Sequence, residues 1–184
     1  PLIFAETASV FAEMLLTEKL LKGEKDTKKK QALILSKLDD IYATIVRQSY
    51  FVLFEKEAHQ AIQKGATIDQ ISDIYLKNLQ QQFGPSISIS EDFKYEWLQI
   101  PHIYNSPFYC YSYSFGNLLT LALYAQYKKE GKAFVQKYLN FLSYGGSKDP
   151  KEVCKELGID VESQTFWDQG FLAIETMLEE LEVE

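Results

Sequence analysis

Between Trp97 and Tyr127 the chain contains no Asp, Glu, Lys or Arg. So long an uncharged stretch has to leave water, either by crossing a bilayer, which takes about 20 apolar residues, or by lying inside a protein. Its content decides between the two. His102, Asn105, Pro107, Ser112, Ser114, Asn117 and several tyrosines interrupt it, and in hydrocarbon each of those polar groups would need a partner. We read it as a buried helix lining a polar cavity rather than a membrane span.

The rest of the chain supplies the core that such a helix needs. With 184 residues, 46% of them hydrophobic, it can bury one substantial core, and residues 1–184 are expected to form one domain or one large helical lobe. Subtracting 26 acidic from 19 basic residues leaves a net charge of −7. Binding a phosphate backbone needs clustered positive charge, so a nucleic-acid partner is not expected. Cys110 and Cys154 are far apart and outside any C-x-x-C spacing, which points to neither a disulfide framework nor a cysteine metal site and suits a reducing, cytoplasmic setting. The first residues, Pro1-Leu2-Ile3-Phe4-Ala5-Glu6, lack the basic and apolar regions of a signal peptide and read as a start inside a helical segment, as in a truncated chain.

Periodicity predicts an all-α fold with long helices. Phe4, Ala8, Phe11 and Leu15 recur at helical spacing toward a stop at Lys22-Gly23. Asp26 or Thr27 can cap a second, unusually long helix whose apolar positions continue almost to Gly65. Thr67 with Gln70 three residues on forms the capping-box pattern, and Phe83-Gly84-Pro85 ends that helix. Ser86 to Ser90 is expected to be a loop, Glu91 to Trp97 a short helix, and Pro101 to Pro107 an irregular connection. A long helix through Lys128 follows, then helices from about Lys132 to Tyr144, Pro150 to Leu157 and Ser163 to Glu180. The last is expected to bury Phe166, Leu172, Ile174, Met177 and Leu181. There is no period of a repeat array.

Two segments carry candidate chemistry. In Phe4-Ala5-Glu6-Thr7-Ala8-Ser9-Val10-Phe11-Ala12-Glu13, Glu6, Val10 and Glu13 fall on one helical face. Such a carboxylate can be a solvated surface charge or a metal ligand, and the small residues around Glu6 would let another helix approach. The second segment, His102 to Tyr113, places one imidazole and four phenols within twelve residues. Buried hydroxyls need partners, so this is either an aromatic corner with some hydroxyls in solvent or a wall that binds substrate. Fixed phenol donors could serve peptide hydrolysis, where charge develops on the carbonyl oxygen.

Together these residues resemble a known family. The runs Phe4-Ala5-Glu6-Thr7-Ala8-Ser9 and Pro107-Phe108-Tyr109-Cys110-Tyr111-Ser112-Tyr113, with Arg47-Gln48-Ser49-Tyr50-Phe51 and Phe54-Glu55 between them, look like the thimet-type oligopeptidase superfamily and, within it, oligoendopeptidase F. The resemblance implies the C-terminal half of a zincin-like helical oligopeptidase that cleaves short oligopeptides in a channel between two lobes. It implies a zinc ion held by two histidines of an H-E-x-x-H helix and by a glutamate matched here by Glu6, with Glu13 supporting it. It places His102, Tyr104 and Tyr111 among the residues that bind substrate and stabilise the tetrahedral intermediate, Tyr111 as the oxyanion donor, and Tyr109 beside them at the substrate.

The departure from the pattern matters as much. No H-E-x-x-H occurs, and in Glu55-Lys56-Glu57-Ala58-His59 the single histidine follows the acids, so His59 is expected on a helix surface. Lacking two ligands and the general base, the chain is expected to be inactive without a missing N-terminal lobe. The alternatives are a non-catalytic helical module that binds peptides or a partner protein, and an inactive homologue.

Overall fold

The computed structural model describes residues 4–182, and among these there are helices, turns and loops but no strand. The all-α expectation holds. No helix of the described residues is long and apolar enough to cross a membrane. The chain divides into two compact units, Pro1–Ile41 with Phe115–Glu184, and Tyr42–Ser114.

The first unit contains α1 (Thr7–Gly23), α2 (Thr27–Ile41), most of α6 (Tyr111–Glu130), α7 (Lys132–Tyr144), α8 (Pro150–Glu156) and α9 (Gln164–Glu182). Phe11 of α1 organises its aromatic core, stacking on Tyr138 at 4.2 Å and meeting Tyr124 and Tyr127 edge-on near 6 Å. In the uncharged stretch of α6, Thr120, fully buried, donates its hydroxyl to the Gly116 carbonyl one turn back at 2.8 Å. Gly170 of α9 sits so close to α6 that a Cβ there would lie 2.8 Å from Leu118 Cδ1 and 3.1 Å from the Leu118 carbonyl oxygen. Asp26 caps α2 by accepting the N–H groups of Lys28 and Lys29.

The second unit holds a π-helical turn (Tyr42–Val46), α3 (Arg47–Gln63), α4 (Ile68–Phe83), 3-10 segments at Gly84–Ser86 and Glu91–Gln99, α5 (Pro101–Asn105) and the first turn of α6. The Thr67 capping box forms as expected, with Thr67 Oγ1 accepting Gln70 N–H and Gln70 Oε1 accepting Thr67 N–H. Phe51, Phe54, Ala58, Ile71, Tyr75, Leu79, Trp97, Ile100 and Cys110 form the core. Two polar side chains of this core are paired by their neighbours: the Trp97 indole donates to Ser72 Oγ at 3.0 Å, and Glu96 accepts from both Arg47 (2.9 Å) and the Tyr75 phenol (2.8 Å).

Four expectations change. The helix expected to run unbroken toward Gly65 is interrupted by the π turn at 42–46, where one residue more per turn is accommodated. The connection after Pro101 is a five-residue helix, because proline at the first helical position loses no hydrogen bond there. On α1 the buried stripe is Thr7, Phe11 and Met14, while Leu15 is exposed; Phe11 stays inward as expected, and Thr7 and Met14, three or four residues from it, share its face. On α9, Phe166 is buried but Leu172 is exposed.

Candidate functional site

Glu6 is the N-cap of α1, not a residue within it, with φ −98 and ψ 0. Its carbonyl starts the helix by accepting Val10 N–H at 3.0 Å. The side chain is exposed, and Oε2 accepts the Ser9 hydroxyl at 3.1 Å while the same hydroxyl reaches the Glu6 carbonyl at 3.0 Å. A carboxylate at this end of a helix is favoured by the helix dipole. Glu13, two turns on, accepts an ion pair from Lys37 Nζ of α2 at 2.8 Å; the Lys37 side chain is buried and that of Glu13 largely exposed.

The other candidates lie in the second unit, on α5, the loop after it and the start of α6. His102 Nε2 and the Tyr113 hydroxyl are 3.3 Å apart. The Tyr109 ring stacks on His102 at 5.7 Å and meets Tyr113 edge-on at 5.2 Å. Tyr104 lies parallel to Trp97 at 6.1 Å and is half exposed, and the partial loss of water around its phenol raises its pKa, so it remains a hydrogen-bond donor at neutral pH. Tyr111 opens α6 and is also half exposed. This unit therefore brings His102, Tyr109 and Tyr113 into one aromatic cluster, leaving the Tyr104 and Tyr111 phenols available to solvent.

A groove of about 820 Å³ opens in the first unit, lined by apolar side chains such as Ile34 and Met177 and by Glu18, Tyr124 and Lys128. Neither imidazole nor thiol lines it. Among the described residues no three His, Cys, Asp or Glu side chains come close enough to hold a metal ion.

Residues 1–172 match the profile of Peptidase family M3. The chain belongs to that family. It is 36% identical over 179 residues to an oligoendopeptidase F homologue of Borreliella burgdorferi, covering 96% of this chain and 30% of the relative. It is 35% identical over 184 residues to the plasmid-encoded oligoendopeptidase F of Lactococcus lactis subsp. cremoris, covering 99% and 30%. In structure it is similar to oligoendopeptidase-F from Enterococcus faecium, with a TM-score of 0.87, 32% identity and coverage of 98% of this chain and 35% of that one. This M3 chain thus spans about 30% of the length of the curated relatives it matches.

Two parts of this M3 chain's aromatic corner escaped the reading of its sequence. Tyr113 was visible as a fourth phenol, but nothing in the spacing joined it to His102. In the sequence Glu55 stands only as part of the Phe54-Glu55 match, with no role of its own, yet it is 1% exposed and accepts Phe108 N–H at 2.9 Å. His59, expected on the surface, is partly covered, its ring 4.8 Å from that of Phe108. The available signal was the spacing of four between Glu55 and His59, which puts both on one face of α3.

Proposed function

We propose that this chain is the C-terminal part of a zinc metalloendopeptidase of the oligoendopeptidase F type, acting on short oligopeptides. What carries the reading is the tyrosine corner of an M3 chain: two half-exposed phenols, Tyr104 and Tyr111, beside the packed cluster of His102, Tyr109 and Tyr113. Phenol O–H groups fixed by their surroundings can donate to a carbonyl oxygen as it gains negative charge. Tyr111 is the donor to that oxyanion, and His102, Tyr104 and Tyr109 hold the peptide against it.

Catalytic zinc takes three protein ligands and polarises the peptide carbonyl. Glu6 fits as one of the three, an exposed carboxylate at a helix start that keeps company with a serine hydroxyl. With no H-E-x-x-H in the sequence, we assign the remaining ligands and the general base to an N-terminal lobe, without which the chain should be inactive. Glu13 supports Glu6 only indirectly, by fixing α1 to α2 through Lys37. A cytoplasmic setting belongs to the same reading, as the free thiols Cys110 and Cys154 suit it.

The test separates the roles in the full-length polypeptide. Glu6→Ala should abolish both zinc binding and peptide cleavage. Tyr111→Phe should keep the zinc and lower kcat by about 100- to 1,000-fold. Normal cleavage after both substitutions would end the peptidase reading.

The half-exposed Tyr104 and Tyr111 favour a second reading, a non-catalytic module whose tyrosine corner binds peptides or a partner protein. Titrating a short peptide into the isolated chain with and without a chelator distinguishes them, since binding that ignores the chelator would favour the module.

A further inference from the structure

The buried acid of the second unit has no place in the reading above. Glu55 is 1% exposed, and burying a carboxylate is costly unless its oxygens are paired. Oε1 accepts the Phe108 N–H at 2.9 Å, whereas Oε2 has no hydrogen-bond partner. That single bond is made to an unusual residue. Phe108 has φ +58, a left-handed conformation that glycine adopts freely and a phenylalanine does not.

Phe108 is held at a second point, also from α3. The His59 ring packs 4.8 Å from the Phe108 ring, and His59 lies one turn beyond Glu55 on the same helix face. Helix α3 is a firm support, because Phe54 and Ala58 beside them are in the core. On the far side of Phe108 the chain is tied down at once: Tyr109 N–H donates to the Ser106 carbonyl, Ser112 Oγ to the Tyr109 carbonyl, and Cys110 is fully buried. Strain at Phe108 is therefore held between a fixed helix and a fixed helix start, and relief of it would swing Tyr109 off His102.

We infer that Glu55, assisted by His59, is the positioning residue for the tyrosine loop: by holding Phe108 N–H it sets the placement of the Tyr109 and Tyr111 side chains. The clamp stands on its own geometry, and its effect on cleavage rests on the peptidase reading.

The experiment uses Glu55→Ala, Glu55→Gln and His59→Ala in the full-length polypeptide, with two readouts. In amide hydrogen exchange, Glu55→Ala should speed exchange at Phe108 and Tyr109 by about tenfold or more while Tyr75 and Leu79 of α4 stay protected. In cleavage of a short peptide, the same variant should lower kcat and kcat/KM by roughly 10- to 100-fold, with zinc content unchanged. Glu55→Gln, which keeps a carbonyl acceptor, should restore both. His59→Ala, which removes only the ring contact, should loosen Phe108 by a smaller factor and keeps the test open if Glu55→Ala does not fold. Unchanged exchange at Phe108, or equal loosening of Phe108, Tyr75 and Leu79, would overturn the clamp. Loosened exchange with normal kcat would overturn its positioning role. If the unsubstituted polypeptide cleaves nothing, the peptidase reading falls while exchange still decides the clamp.

Discussion

Glu18 of α1 accepts the Tyr124 phenol of α6 at 2.5 Å, and the same carboxylate is paired with both Lys128 and Lys22. These partners, Lys128 foremost, hold its pKa down to about 2 from 4.5. Since folding lowers this pKa, the unfolded chain takes up the proton first. The stabilisation is complete above about pH 4.5 and is lost as pH falls toward about 2. Glu18→Gln should cost about 1 to 2 kcal/mol at pH 7 after allowance for solvent screening, and should flatten the fall in stability across that window. Urea melts at a series of pH values check this; an unchanged acid limb would contradict it.

Gly170→Ala should destabilise the first unit. Alanine gains about 1 kcal/mol of helix propensity over glycine, but the new methyl would meet Leu118 Cδ1 at 2.8 Å and the Leu118 carbonyl at 3.1 Å. The leucine side chain can turn away and the carbonyl cannot, so an overpacking cost of about 1 to 3 kcal/mol prevails. Gly23→Ala is the control: nothing lies within 4 Å of a Cβ there, and it should stabilise by about 0.5 kcal/mol. Opposite shifts in thermal midpoint are the expected result.

Ser72→Ala removes the partner of a buried indole. Ser72 is fully buried and Trp97 nearly so, so water cannot replace the lost acceptor. The cost should be about 1 to 3 kcal/mol, read as a lower denaturation midpoint with an unchanged slope. A blue-shifted Trp97 emission in the folded state would report the missing hydrogen bond.

Tyr113→Phe keeps the ring that packs on Tyr109 and removes the hydroxyl beside His102. In the full-length polypeptide it should reduce cleavage on the order of tenfold, because misplacement of a substrate-facing group costs less than its loss. A drop as large as that of Tyr111→Phe would make Tyr113 a direct donor.

The helices with strong local signals were legible in the sequence. Thr67 and Gln70 announced α4, Asp26 announced α2, and Gly131 and Gly145, both at positive φ, bound α7 where its sequence stops. The π turn was not legible, since Tyr42–Val46 carries no glycine or proline and its apolar pattern runs on. Nor was the inner face of α1, where buried Thr7 and Met14 replace the expected Ala8 and Leu15; a threonine and an alanine carry too little hydropathic contrast to fix the phase. At the candidate site, residue types pointed to His102 and the tyrosines, but the bond from Phe108 to Glu55 joins positions 53 apart and leaves no local trace.

The two units each contain one thiol shut away from solvent, Cys154 in the first and Cys110 in the second. Burial pushes both thiols up to about 11, with the Glu55 charge adding to the effect at Cys110. Only the thiolate attacks an alkylating reagent, so near neutral pH neither sulfur reacts until its own surroundings come apart. The molecule thus carries two independent stopwatches, and in weak denaturant the order in which they are stopped reads out which part of the chain lets go first.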